Sequence, residues 1–198
     1  NQFKDIGMQW NLVSPYGYCP GAISLFYKPE NATQRPPIGN RGILIEELAA
    51  HGTFEEIAFL LMTGKLPNEH ELTDFARRVG DARKLNSELR TVIKSLPKNA
   101  PPMAALQTCI AAVGAAYPSK SIYEEKSREE SAIEFIGKFP AVVAAFHRHR
   151  TGKEIIDADP SQSHAADFLH MLTGEKPDPL KVRAMDICLI LHADHTMN

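Results

Sequence analysis

The chain has 198 residues, of which 43% are apolar and 23% are charged, and its formal net charge at pH 7 is −2. This length suits one domain or one large lobe, and the 22 basic and 24 acidic residues form no block of like charge, which argues against nucleic acid or an acidic membrane surface as a partner. No apolar run reaches the roughly 18 residues that a membrane-spanning helix needs, and no signal segment opens the chain.

The first 42 residues are rich in proline and glycine. They predict an extended N-terminal arm with few regular elements, with a short strand at residues 22–27, and the arm can pack on the main body or on a partner subunit.

From residue 43 onward the pattern is helical and strand signals are almost absent. Four apolar residues recur with the i, i+3, i+4, i+7 spacing of a core-facing helix: Phe54, Ile57, Ala58 and Leu61. Thr53 and Glu56 have the spacing of a capping box at the start of this helix, and Gly64 suits the left-handed position after its end.

Further helices are predicted along the rest of the chain, over residues 68–83, 87–96, 103–117 and 161–172. Ser121 opens a capping-box candidate before a long helix that ends near Gly152, and Pro140 inside that helix predicts a kink or a break. Asp178 and Pro179 suit the N-cap and first position of a final helix. The fold class predicted from these signals is all-α.

The three cysteines, Cys19, Cys109 and Cys188, are widely spaced and form no C-x-x-C pair. We therefore expect no disulfide framework, a small core residue at each position, and a reducing cytoplasm as the compartment.

The final helix leads from an apolar run into His192, Asp194 and His195. On a helix, residues three apart share a face, so the two imidazoles can grip an anionic substrate together while Asp194 orients a ring. Two alternatives remain: histidines that only complement the helix end, or a metal site, although zinc-protease helices have histidines four apart.

Other charged residues favour structural roles. The basic run at residues 146–150 fits favourable charge at the negative pole of a helix, with an anion site as the alternative. His164 and His170 are isolated and predicted to be structural. Phosphate-loop, dinucleotide-binding, nucleophile-elbow and zinc-finger spacings are all missing from the sequence.

Several segments, in order, resemble the citrate synthase family. Residues 41–49 resemble its "YRG-x-x-IE-x-LA" segment, and residues 54–67 are similar to its "FEEVAYLLL-x-GELP" run. Residues 168–174 and 190–195 match "FLHMLTG" and "LILHADH" closely. The resemblance covers residues 39–198.

The resemblance implies a mainly helical homodimer that condenses oxaloacetate with acetyl-CoA to give citrate and CoA, in the tricarboxylic acid cycle, with no metal or other cofactor. It implies that His195 hydrogen-bonds oxaloacetate, that His192 lines the same pocket, and that Arg41 is structural. The family's catalytic histidines, aspartate and arginines lie downstream of "HADH", so no catalytic residue is expected in this chain.

The expected organisation is therefore an arm at residues 1–42 and a large-domain fragment at residues 43–198, inactive alone, without the small domain. A close variant is 2-methylcitrate synthase, which uses propionyl-CoA, although the "HADH" spelling favours citrate synthase. Two further alternatives are a non-catalytic helical module that dimerises, and an enzyme whose other half is a separate polypeptide.

Overall fold

The computed structural model describes residues 39–40, 43–116 and 123–193. Within these ranges the chain forms eight helices and two strands of two residues each, which confirms the predicted all-α fold. The arm predicted for residues 1–42, with its strand at residues 22–27 and the structural Arg41, falls outside the described residues except for Gly39 and Asn40.

The helices follow one another along the chain with short connections. They are α1 (Ile45–His51), α2 (Phe54–Thr63), α3 (Glu69–Ala82), α4 (Ser87–Ser95), α5 (Pro102–Ala116), α6 (Glu125–Arg150), α7 (His164–Thr173) and α8 (Pro179–His192). Before them, β1 (Gly39–Asn40) and β2 (Ile43–Leu44) pair antiparallel, with Gly39 opposite Leu44.

The chain divides into two units, which we call the terminal unit and the middle unit. The terminal unit is Asn1–Asn68 with Asp186–Asn198, and the middle unit is Glu69–Met185. The core of the terminal unit consists of four buried apolar residues from α1, α2 and α8: Leu48, Ile57, Leu60 and Ile190. The last turns of α8 therefore belong to the same core as α1 and α2.

The sequence signals at the two ends of α2 predicted its start and its end correctly. The Thr53 hydroxyl accepts from the Glu56 amide, and the Glu56 carboxylate accepts from the Thr53 amide at 2.8 Å, so the predicted capping box is confirmed. Gly64 follows the helix at φ 83°, as predicted. Ile57 and Ala58 are buried as expected, whereas the two outer members of the predicted stripe are half-buried.

The middle unit is built around α6, which packs against α3, α4, α5 and α7. Its main core contains eight buried residues from α4, α5 and α6: Leu89, Ile93, Ala105, Cys109, Val113, Val142, Ala145 and Phe146. Small residues bring α6 close to its neighbours. A Cβ added at Gly137 would lie 2.7 Å from the Ala82 Cβ, so this crossing of α3 and α6 requires glycine.

Helix α6 continues through Pro140, so the predicted alternative of a break there is wrong. A proline in a helix interior costs about 3 kcal/mol, because one hydrogen bond is lost and the ring crowds the preceding turn. Buried residues on both sides, Gly137 and Ala141 among them, hold the two halves of the helix against its neighbours. Tertiary packing therefore outweighs the local penalty.

Helix α7 begins at His164, a little later than the predicted Ser161. The Asp159 carboxylate accepts from both the amide and the hydroxyl of Ser161, at 3.0 and 2.6 Å, which holds that residue in a turn. Ser163 is the N-cap instead, and its hydroxyl accepts from the Ala166 amide at 3.3 Å.

Two buried cations satisfy carbonyl groups at helix ends. Lys138, on α6, donates to the carbonyls of Ala82 and Lys84 at 2.5 and 2.7 Å, at the end of α3. Arg148 donates to the carbonyl of Leu172 at 3.5 Å, at the end of α7. The last carbonyls of a helix carry partial negative charge and lack partners within the helix, so both cations stabilise the packing of α6.

A buried ion pair joins the end of α3 to α7. Arg83 Nε lies 2.6 Å from Asp167 Oδ2, and both side chains are almost fully buried. Arg83 also donates to the Gln162 carbonyl at 2.8 Å, and Asp167 accepts from the Asp159 amide at 3.0 Å. These extra hydrogen bonds offset part of the cost of burying two charges.

Candidate functional site

Helix α8 carries the predicted site, and its start is set locally. Asp178 Oδ1 accepts from the amides of Leu180 and Lys181 at 2.9 and 3.2 Å, and Pro179 occupies the first helical position. Both features confirm the prediction from sequence. The helix then runs without interruption to His192.

One face of α8 is fixed against the terminal unit. Asp186, Ile190 and Ala193 have the spacing i, i+4, i+7, which places them on one side of the helix. Ile190 is fully buried in the core of the terminal unit and Ala193 packs against that core. Asp186, which is 7% exposed, is the polar member of this face.

Asp186 holds the start of α2. Its Oδ1 accepts from the backbone amide of Phe54 at 3.0 Å, and Phe54 is the first residue of that helix. The first amides of a helix have no partner within the helix and carry partial positive charge, so a carboxylate is a favourable acceptor there. Sequence reasoning did not single out Asp186, although an acidic residue in line with Ile190 on an apolar helix is a signal for a specific buried contact.

His192 is the last residue of α8, and its side chain is exposed. Its Nδ1 lies 2.6 Å from the carbonyl oxygen of Cys188, one turn earlier. Because a carbonyl only accepts, Nδ1 carries the proton here, and Nε2 carries one as well only when the ring is charged. A charged ring in this orientation can donate from Nε2 to a carboxylate.

The other two residues of the predicted constellation, Asp194 and His195, lie outside the described residues. The prediction that His192 and His195 share one face therefore stays a prediction. Ala193, the last described residue, hydrogen-bonds to the carbonyl of Ile190 at 3.3 Å, three residues earlier, as in a tightened final turn.

The basic run at residues 146–150 serves the ends of helices, which confirms the favoured prediction. Arg148 makes the contact to the Leu172 carbonyl described above, and His149 Nε2 lies 2.9 Å from the carbonyl oxygen of Leu96. The guanidinium carbon of Arg150 lies over the Phe146 ring of the same helix, 6.0 Å from the ring centroid. The anion-site alternative stays a prediction.

The two isolated histidines are structural, as predicted. His164 is 3% exposed, and its pKa is lowered to about 3, chiefly because burial penalises the charged ring and also because of the positive charge of Arg83. His170 Nδ1 lies 3.1 Å from the carbonyl oxygen of Glu175, in the turn after α7.

The cysteine expectation is confirmed at one described position and wrong at the other. Cys109 is fully buried in the core of the middle unit, where burial raises the pKa of its thiol. Cys188 is exposed, because it lies away from the buried face of α8. Cys19 falls outside the described residues.

Metal-binding clusters and membrane-spanning helices are both absent from the part of the chain that the structure describes. No group of three or more His, Cys, Asp or Glu side chains there could hold a metal ion. In the same ranges, no helix is both long enough and apolar enough to cross a membrane.

Comparison with known proteins identifies the family of this helical fold. The sequence profile "Citrate synthase, C-terminal domain" matches residues 22–198. Because this match covers most of the sequence, the chain belongs to the citrate synthase family.

Individual relatives agree with the profile. The citrate synthase of Synechocystis sp. is 40% identical over 158 residues, which are 80% of this chain and 40% of that protein. A 2-methylcitrate synthase of Mycobacterium tuberculosis is 33% identical over 158 residues, again 80% of this chain and 40% of that protein.

A solved structure shows the same fold. The citrate synthase of Thermoplasma acidophilum, in ternary complex with carboxymethyl coenzyme A and oxaloacetate, has a TM-score of 0.76 and 28% identity, and the match covers 82% of this chain and 42% of that one. The chain thus spans about 40% of the length of the curated relatives described above.

Proposed function

We propose that this chain is part of a citrate synthase, which condenses oxaloacetate with acetyl-CoA and water to give citrate and CoA. The observation that carries the proposal is the family match, which extends over residues 22–198 and so includes α8 and the histidines at its end. The Thermoplasma acidophilum relative is a complex with oxaloacetate and a coenzyme A analogue, which are ligands of the chemistry proposed here.

In this proposal, His195 hydrogen-bonds oxaloacetate and His192 lines the same pocket. Oxaloacetate carries two carboxylates, and protonated imidazoles supply both donors and positive charge for them. His192 is exposed and its Nδ1 is turned back to the carbonyl of Cys188, so Nε2 is the ring nitrogen that we propose donates to the substrate. No metal or other cofactor is required, and acetyl-CoA is a co-substrate.

We place residues 43–198 in the large helical domain and residues 1–42 in an extended arm. The small domain and the catalytic acid–base groups come from the remainder of the enzyme. Enolisation of the thioester requires a base that takes a proton from the carbon next to the carbonyl and an acid that donates one to the carbonyl oxygen. The chain alone is therefore expected to be inactive. We further propose a place in the tricarboxylic acid cycle and a cytoplasmic location.

The enzyme is proposed to be a homodimer that uses α5. This helix, Pro102–Ala116, has no charged residue, although a whole face of it is exposed. Met103 on that face is 64% exposed, and a Cβ added at Gly114 would meet nothing within 4 Å. Faces exposed to water are normally polar, so a second copy of α5 is a fitting cover. Ala111→Glu would place a charge in this face and should shift the dimer towards monomer in light scattering; an unchanged mass would remove α5 from the interface.

The second candidate is 2-methylcitrate synthase, which the Mycobacterium tuberculosis relative favours. One methylene in an apolar pocket is worth only about 1–3 kcal/mol, so the two activities differ by the shape of an acyl pocket rather than by the fold. A non-catalytic helical module that dimerises is the third candidate.

The test is thiol release by the full-length gene product. With oxaloacetate present, we expect free CoA from acetyl-CoA at a kcat/KM well above that for propionyl-CoA, and none from purified residues 1–198. The reverse preference would establish the 2-methylcitrate variant. Release from neither donor would support the non-catalytic module, and robust release by residues 1–198 would show that the catalytic groups are misplaced in this proposal.

A further inference from the structure

We propose that Asp186 is a positioning residue for the oxaloacetate site: its bond to the amide of Phe54 fixes the rotation and register of α8, and thereby the direction of the imidazole of His192. This inference rests on the proposed function of that site. Its structural part, the control of His192 by Asp186, stands independently of the reaction.

The first step is the rigidity of the donor. The Phe54 amide lies in the first turn of α2, which the capping box of Thr53 and Glu56 closes. Further along α2, Ile57 and Leu60 are almost completely buried in the core of the terminal unit. The amide that Asp186 contacts is therefore held in place from both sides.

The second step is the kind of contact that α8 makes. Apart from Asp186, its inward face is held by Ile190 and Ala193, which are apolar. Apolar contacts are non-directional and tolerate small rotations, whereas a hydrogen bond at 3.0 Å weakens steeply when its angle changes. Asp186 thus supplies this face with a directional anchor.

The third step connects the anchor to the site. His192 follows Asp186 by six positions, so the two lie about 9 Å apart along the axis and roughly 240° apart around it. The imidazole accordingly points away from the core that holds Asp186 and Ile190. Any rotation of α8 about its axis moves the exposed ring sideways, and a displacement of about 1 Å in a positioned group can cost on the order of a hundredfold in activity.

The experiment compares Asp186→Ala with Asp186→Asn in the full-length protein. Asparagine keeps a carbonyl oxygen that can accept from the Phe54 amide, whereas alanine removes the acceptor. The matched control is Asn86→Ala, because Asn86 Oδ1 accepts from the Leu89 amide at 2.9 Å at the start of α4, in the middle unit. Both alanine variants thus remove one side-chain acceptor from a helix start.

We expect Asp186→Ala to raise the KM for oxaloacetate about tenfold or more, with the KM for acetyl-CoA changed less than about twofold, and Asp186→Asn to restore most of the loss. Asn86→Ala should lower the thermal midpoint of unfolding about as much as Asp186→Ala does, but it should change neither the oxaloacetate KM nor the acetyl-CoA KM. An oxaloacetate KM within twofold of wild type in Asp186→Ala would overturn the inference. So would equal rises of the oxaloacetate KM and the acetyl-CoA KM that appear in Asp186→Ala and Asn86→Ala alike.

A second readout separates this inference from the proposed function. The ring resonances of His192 in NMR spectra should shift in Asp186→Ala and return in Asp186→Asn, and the Phe54 amide should exchange faster in the alanine variant. These changes in a protein without thiol release would uphold the positioning and reject the enzyme. Unchanged His192 resonances in Asp186→Ala would overturn the positioning whatever the activity.

Discussion

Burial of His164 makes the stability of the protein depend on pH. In the folded protein the pKa of this ring is lowered to about 3, whereas its ordinary value is 6.5. Below pH 6.5 the unfolded chain therefore binds a proton that the folded chain excludes. The stability that the neutral ring contributes is complete above pH 6.5 and is lost progressively as the pH falls towards 3.

The magnitude follows from the linkage between protons and folding. Each pH unit in this window costs about 1.4 kcal/mol, so from pH 6.5 to pH 5 the free energy of unfolding should fall by about 2 kcal/mol on account of His164. The positive charge of Arg83 acts on this ring, and Arg83 is itself paired with Asp167. Burial raises the pKa of Asp167, and this shift acts in the opposite direction, because the folded protein then binds the Asp167 proton more readily than the unfolded chain does.

The assay is urea unfolding between pH 5 and pH 7.5, for wild type and His164→Gln. The difference between the two proteins isolates the histidine from the carboxylates, and wild type should lose about 2 kcal/mol more than the variant over this range. His147→Gln, which removes an exposed imidazole from α6, is the control and should keep the wild-type slope. Parallel curves for wild type and His164→Gln would show that the ring is not held neutral by burial.

Three further predictions concern packing and burial. Gly137→Ala should destabilise the fold by about 1–3 kcal/mol in urea unfolding, since its Cβ would overlap α3; a gain of stability, as helix propensity alone predicts, would contradict the close crossing. Lys138→Met should cost about 2–3 kcal/mol because two carbonyls lose a charged donor, and a cost below about 0.5 kcal/mol would show that water replaces it. Iodoacetamide should label Cys188 in the native protein and Cys109 only after unfolding, as peptide mapping will show; equal rates would contradict the burial of Cys109.

Features that depend on neighbouring residues were predictable from the sequence. The capping box of Thr53 and Glu56, the left-handed Gly64 and the N-cap Asp178 each involve residues at most a few positions apart, so their patterns were visible in the chain. The helical periods and most helix boundaries followed from the same local rules, whereas α7 begins later than predicted.

Features that depend on distant partners were not predictable. Lys138 looks like a surface lysine until the carbonyl of Ala82, 56 residues earlier, is placed beside it. The contact of Asp186 with the Phe54 amide spans 132 residues. At Pro140 the local rule indicated a kink or a break, and the packing of the surrounding helix overrode the break. Tertiary contacts decide all of these.

The candidate site shows the same division. The position of His192 at the end of α8 follows from the apolar pattern of that helix, whereas the anchor that sets its direction is a contact between α8 and α2. His195 remains a prediction from the family motif, because it lies outside the described residues.

Calorimetric titration of oxaloacetate into the full-length protein tests the proposed role of the terminal histidines. Wild type should bind, and His195→Ala should weaken the affinity by about tenfold or more, which corresponds to the loss of a charged hydrogen bond of about 1.4 kcal/mol or above. His192→Ala should weaken it by a smaller factor. Wild-type affinity in both variants would contradict the account, because the end of α8 would then form no part of the dicarboxylate pocket.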